Sequence, residues 1–244
     1  NLNYYNNKIY IIGGIRLSTN REFYYLDDKI EVFDLKTQTI IIDNTNPHQA
    51  TNFASFIYDN NIIVMGGSVK LKNNGKKLFT NKSHIYNLES GYWYQLKDMS
   101  EAKEVKGVLI KNKIYLIGGF NIKPLKEIES YNLTTGKWER EGELFSPIAI
   151  PALAYHNNFI YIYNNKKICT YNIETKELTE YLIDLPFKSS ELYYFDDKLY
   201  ILGGYFENEY SKTPSRNLYS IHLSEFKKTA INKSKTLVLI KQNH

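Results

Sequence analysis

The chain has 244 residues, a formal net charge of +5 from 31 basic and 26 acidic side chains, and one cysteine. So mild a charge, with no concentrated basic stripe, argues against nucleic acid as a partner. A single thiol excludes an internal disulfide framework, and no apolar run reaches the ~18 residues that membrane insertion requires.

Tyr (22) and Phe (12) are abundant and favour strands, so the composition points to β structure, read here as one domain over residues 1–244. The chain is a repeat. The first unit, about residues 1–45, carries "NNKIYIIGGI" with Gly13-Gly14, then a loop, then "KIEVFDLKTQTI". The second, 46–98, carries "NNIIVMGGSV" with Gly66-Gly67, then "HIYNLESGYW" with Tyr86 and Trp93. The third, 99–144, reads "KNKIYLIGGF" with Gly118-Gly119, then "EIESYNLTTGKW" with Tyr131 and Trp138. In the fourth, 145–184, Asn164-Asn165 stand where the glycines fall, and Tyr171 keeps the aligned tyrosine. The fifth, 185–232, has Gly203-Gly204 and fades at "NLYSIHLSEF".

Each unit predicts four short antiparallel strands. Asp34, Asn87, Asn132 and Asn172 each follow the aligned aromatic residue and predict a tight turn bonded by their own side chains. Asn imitates Gly at positive φ, so Asn164-Asn165 predicts that the double glycine serves a backbone bend more than a lack of space. Residues 233–244 predict either a closing strand, which would slot into the first unit, or the start of a further unit.

Chemistry is sparse. The histidines, His48, His84, His156, His222 and His244, have no metal-ligand spacing, so neither metal nor cofactor is expected. Cys169 lies in an alternating strand and reads as a small buried hydrophobe. The glycine pairs lie between strands, so they do not read as a phosphate cradle, which needs a strand-to-helix turn. No catalytic constellation is legible.

Strands repeated at this period define a β-propeller blade. The string apolar–Tyr–apolar–apolar–Gly–Gly, a variable loop, Tyr-Asn/Asp and then Trp resembles the Kelch repeat. The resemblance implies an all-β Kelch-type propeller with five recognisable four-stranded repeats, and six blades if N-terminal sequence is missing. The aligned Tyr and Trp then become packing residues between blades. The chain opens on Asn1 almost inside a repeat, and the expectation is that upstream sequence is absent. Compartment therefore stays open between the cytoplasm and a bacterial periplasm or cell envelope, and oligomeric state is open as well.

The loops after the glycine pairs differ in length, and such insertions on one face of a repeat scaffold carry function. The Ser68–Ser83 loop holds Lys70, Lys72, Lys76, Lys77 and Lys82 and reads as a solvated loop or a basic rim. By resemblance to Kelch-like binding proteins, Arg16, Phe120, Asn121, Tyr205 and Lys103 line a binding mouth. A non-catalytic scaffold for a protein or peptide is the reading this supports. The alternative is a glycan-binding or carbohydrate-active propeller similar to Kelch-type sialic acid mutarotases, which needs Arg, His and Glu to converge at the mouth.

Overall fold

The computed structural model describes residues 1–71 and 77–239. The first blade contains β1 (Leu2–Tyr5), β2 (Lys8–Ile12), a projecting hairpin of β3 (Ile15–Leu17) and β4 (Tyr24–Leu26), then β5 (Ile30–Asp34) and β6 (Thr39–Asp43). Its sheet runs β1-β2-β5-β6. The second contains β7 (Ala54–Tyr58), β8 (Asn61–Met65), a hairpin of β9 (Ser68–Leu71) and β10 (Lys77–Phe79), β11 (Ser83–Asn87) and β12 (Trp93–Gln95). Here the order is β7-β8-β11-β12. The third is β13 (Glu104–Ile110), β14 (Lys113–Asn121), β15 (Lys123–Asn132) and β16 (Lys137–Ile148), paired in chain order.

The fourth sheet has β17 (Ala152–His156), β18 (Phe159–Asn164), β19 (Lys167–Asn172) and β20 (Glu177–Leu182). The fifth has β21 (Glu191–Phe195), β22 (Lys198–Leu202), a hairpin of β23 (Tyr205–Glu207) and β24 (Lys212–Pro214), and β25 (Leu218–His222). A short helix, α1 (Leu223–Phe226), and β26 (Ile231–Thr236) follow.

Two expectations are corrected at this end of the chain. The fifth blade has three strands, β21-β22-β25; after β25 the chain turns into α1, whose Phe226 packs on Tyr161 and Tyr181 of the fourth blade. The strand that follows neither enters the first blade nor begins another. β26 pairs antiparallel with β20, with Leu178 opposite Lys235 and Thr179 opposite Ser234, and becomes the fifth strand of the fourth sheet. Leu237, just beyond it, is buried in the apolar cluster of that region. Residues 240–244, His244 among them, lie outside the described residues.

Local chemistry explains the strands' ends. The first and second strands of blades are joined by residues at positive φ: Asn6 and Asn7, Asp59, Lys111, Asn157 and Asn158, and Asp196 and Asp197. Asn and Asp tolerate this region best among residues with a Cβ. At the same end of the first four blades, Oδ1 of Asp34, Asn87, Asn132 and Asn172 accepts two backbone N–H bonds, from Lys36 and Thr37, Glu89 and Ser90, Thr134 and Thr135, and Glu174 and Thr175.

The chain forms two compact units, one of residues 1–105, 120–123 and 132–138, the other of 106–119, 124–131 and 139–244. In the first, Tyr10, Ile12, Ile30 and Val32 pack with Ile62, Val64 and Tyr86. In the second, Tyr115, Ile117, Ile128 and Leu144 pack with Ile160, Ile162, Cys169 and Tyr171. A further cluster joins Tyr161, Tyr163 and Ile168 to Leu192, Leu199 and Ile201. The aligned tyrosines Tyr86 and Tyr171 thus lie between neighbouring blades, and Tyr131 is also buried. Trp93 packs on Tyr86 at 4.8 Å. Cys169 is buried, and burial first, then the charge of Glu180, pushes its thiol up to about 12, so it is an inert hydrophobe.

Candidate functional site

The double glycines build the base of each projecting hairpin. The carbonyl of the second glycine accepts an N–H from the returning chain: Asp27 to Gly14 at 3.0 Å, Thr80 to Gly67 at 2.9 Å and Ser215 to Gly204 at 2.9 Å. Both residues of each pair have positive φ. Space is also short. A Cβ on Gly66 would lie 2.7 Å from the carbonyl oxygen of Lys103, and one on Gly118 would lie 2.5 Å from that of Ile148. Both belong to segments leading out of the glycine's own blade. Bend and crowding therefore act together, which revises the expectation drawn from Asn164-Asn165. In the fourth blade there is no inserted loop. Asn165 (φ 39) and Lys166 (φ 64) close the β18–β19 hairpin directly, and their N–H groups donate to the carbonyls of Phe187 at 3.0 Å and Leu185 at 2.9 Å in the segment leading out of that blade.

In the first unit, β3 and β4 pair with Arg16 opposite Tyr25. Arg16 Nε lies 2.6 Å from Asp27 Oδ2, and a terminal nitrogen lies 2.9 Å from Glu31 Oε1. The guanidinium is thus matched by two carboxylates of its own blade. Phe23, Tyr24 and Tyr25 are exposed around it.

The second and third blades bring more together. Phe120 meets Phe79 edge-to-face at 5.9 Å, and Lys77 Nζ lies 5.8 Å from the Phe120 ring centroid. Lys77 Nζ also bonds Glu104 Oε1 at 2.6 Å, and that buried oxygen accepts from Asn52 at 3.0 Å and from the Ser68 hydroxyl. Asn121 Nδ2 donates to Glu101 Oε1 at 2.8 Å. Ile122, at the tip, is 86% exposed with φ 61.

Lys103 falls elsewhere. Its side chain is 1% exposed, and its backbone carbonyl takes the N–H of Gly67 at 2.7 Å. The structure gives it an interior place rather than a solvent-lined mouth. Neighbouring Glu104, Glu101 and Phe79 were not singled out by sequence. The run "SEAKE" before β13 was the signal, since two carboxylates entering a strand beside a Lys-bearing loop invite pairing. The basic rim is neutralised where it is described: Lys77 pairs with Glu104 and Lys82 with Asp98. Lys72 and Lys76, and the side chain of Lys70, lie outside the described residues.

In the second unit, Tyr205 lies on β23 with Lys212 Nζ 5.1 Å from its ring centroid. Glu207 bridges Lys188 at 2.8 Å and Lys212 at 2.9 Å. Among the described residues no group of three or more His, Cys, Asp or Glu side chains could hold a metal ion. His48 and His84 touch, Nδ1 to Nδ1 at 2.9 Å, while His48 Nε2 bonds the Gly66 carbonyl at 2.8 Å. Burial pulls His48 down to about 4, so it serves as a neutral strut.

The repeated four-stranded sheets and their hairpins define a β-propeller. Residues 104–144 match the Kelch motif. The Kelch repeat and BTB domain-containing protein 2 of cowpox virus (strain GRI-90) is 30% identical over 137 residues, 54% of this chain and 23% of that protein. Alpha-scruin of Limulus polyphemus is 26% identical over 144 residues, 58% of this chain and 15% of that protein. The chain thus matches less than a quarter of the length of either relative. The solved structure of YjhT, 15% identical, superposes with a TM-score of 0.73 over 91% of this chain and 80% of that one. The fold is that of a Kelch-type β-propeller, and residues 104–144 carry the Kelch motif.

Proposed function

We propose that the propeller is a non-catalytic module that holds a protein or peptide on its loop-bearing hairpins. Within the first unit, the surface is β3–β4, β9–β10 and the β14–β15 tip. The observation that supports this is a division of labour among side chains there. Apolar and aromatic groups stand out, namely Phe23, Tyr24, Tyr25 and Ile122, while Arg16, Lys77 and Lys82 are matched by carboxylates. Such a surface gains by burying rings and aliphatic groups, and offers little to a strongly anionic ligand. Phe120 packs on Phe79 and Asn121 donates to Glu101 beside this surface, and Tyr205 offers an aromatic ring on a hairpin of the second unit.

Selection from a displayed peptide library tests the reading, with a glycan array run in parallel. The chain should enrich peptides bearing apolar side chains, and replacing Tyr24 and Ile122 by Ser should abolish the enrichment. Enrichment that survives both changes, or binding confined to glycans, would count against it.

A further inference from the structure

The outer strands of the sheets protect their free edges in different ways. β20 is covered by β26. β16 carries Lys137, Glu139, Arg140, Glu141 and Glu143 along its length, and β12 has only three residues. β25 carries Ser220 and His222 and ends in α1. β6 has none of these protections. It reads Thr-Ile-Ile-Ile-Asp, pairs with β5 on one side, and exposes Ile40, Ile41 and Ile42 by 65%, 58% and 51%. Successive side chains alternate between faces, so both faces of this edge are apolar. A bare five-residue edge of this kind is a template for another strand.

We propose that β6 is the contact through which two copies of this chain pair, β6 to β6, antiparallel about a two-fold axis at Ile41. The strand is complementary to itself in that arrangement alone. Ile41 falls opposite its own copy, Ile40 opposite Ile42, and Thr39 opposite Asp43, so every apolar side chain gains an apolar neighbour. The Lys36 end of one strand also runs toward the Asp43 end of the other. Parallel pairing in register would set Asp43 beside Asp43, and an antiparallel slip of two residues would set Ile41 against Asp43 or Thr39. Asp43 keeps its bond from Tyr86 throughout, because that bond uses the side chain and not the strand edge. The β20–β26 pairing is the precedent within this chain: an outer strand accepts an antiparallel neighbour through five residue pairs. The symmetry of the interface is isologous and closes at two copies.

Sedimentation velocity on the full chain at about 100 µM tests this, a concentration chosen to populate a weak strand-to-strand contact. The wild type should sediment as a monomer–dimer equilibrium. Ile41→Lys, which sets two ammonium groups face to face, should weaken association by about 100-fold while leaving circular dichroism unchanged, because the side chain is exposed. The Ile41→Cys variant should join to its own copy through a short bismaleimide, with buried Cys169 unreactive. A wild type that stays monomeric at that concentration, a dimer that survives Ile41→Lys, or an Ile41→Cys variant that does not cross-link would overturn the proposal.

Discussion

The hydroxyl of Tyr171 donates to Oε2 of Glu141 at 2.9 Å, joining the third strand of one blade to the outer strand of the blade before it. Tyr86 and Asp43 repeat the relationship at 2.6 Å. Asp43 and Glu141 both lie three residues after the position that holds Trp in the repeat, at Ile40 and Trp138. The carboxylate is therefore a recurrent partner of the aligned tyrosine. Glu141 is fully buried and accepts also from Ser130 at 2.7 Å, Lys113 at 2.9 Å and Lys176 at 2.7 Å.

Removing this acceptor takes the carboxylate from the Lys176 ammonium and from the Tyr171 and Ser130 hydroxyls, while Lys113 keeps Glu139 at 2.6 Å. Glu141→Ala should cost about 3–5 kcal/mol in urea unfolding, the range for breaking a buried ion pair. Tyr171→Phe removes one donor to a charged oxygen and should cost roughly 1.5–3 kcal/mol. Equal losses for the two variants would contradict the ranking.

Acid should unfold the protein in two stages. Burial depresses His48 to about 4, so its neutral form is the native one. The unfolded chain takes up a proton first, near 6.5, and stability declines as pH falls from there to about 4. Burial alone would raise Glu141, but hydrogen bonds from Lys176, Lys113 and Ser130 outweigh it and hold the carboxyl at about 2. Its contribution is complete above the ordinary value of 4.5 and is lost as pH falls toward 2. Each stage is worth roughly 3 kcal/mol. Unfolding free energy measured against pH should show both, and His48→Gln should flatten only the upper one.

The glycines should divide by their surroundings. Gly203 has φ 66 and open space around its Cα, so Gly203→Ala should cost about 1–2 kcal/mol, the strain of a left-handed residue. Gly66 has φ 70, and a Cβ there would meet both the Lys103 carbonyl and Met99 at 2.7 Å. Gly66→Ala should cost at least about 2 kcal/mol more, since backbone must move. Equal costs in chemical denaturation would show that the bend alone matters.

Much of this was legible in the sequence because repetition exposes local rules. The turn residues Asp34, Asn87, Asn132 and Asn172, the strands around each glycine pair and the buried tyrosines all follow from short-range geometry. What was not legible depends on partners distant in sequence. Nothing near Ile231–Thr236 says that its mate is β20, because a polar edge strand carries no mark of its neighbour. Lys103 and Glu104 are adjacent, yet the first contributes its carbonyl to Gly67 and the second its carboxylate to Lys77 and Ser68. Only the fold tells which group is used. Arg16 looked available for a ligand because Asp27 and Glu31 lie 11 and 15 residues away, across a hairpin whose register the sequence leaves open.

Hydrogen–deuterium exchange of the chain with and without a library-selected peptide tests the central claim most directly. Binding at the loop-bearing hairpins predicts added protection in residues 15–26, 77–83 and 120–123. Protection confined to the turns at the opposite ends of the strands, around Asn6-Asn7, Asp59-Asn60 and Lys111-Asn112, would contradict it.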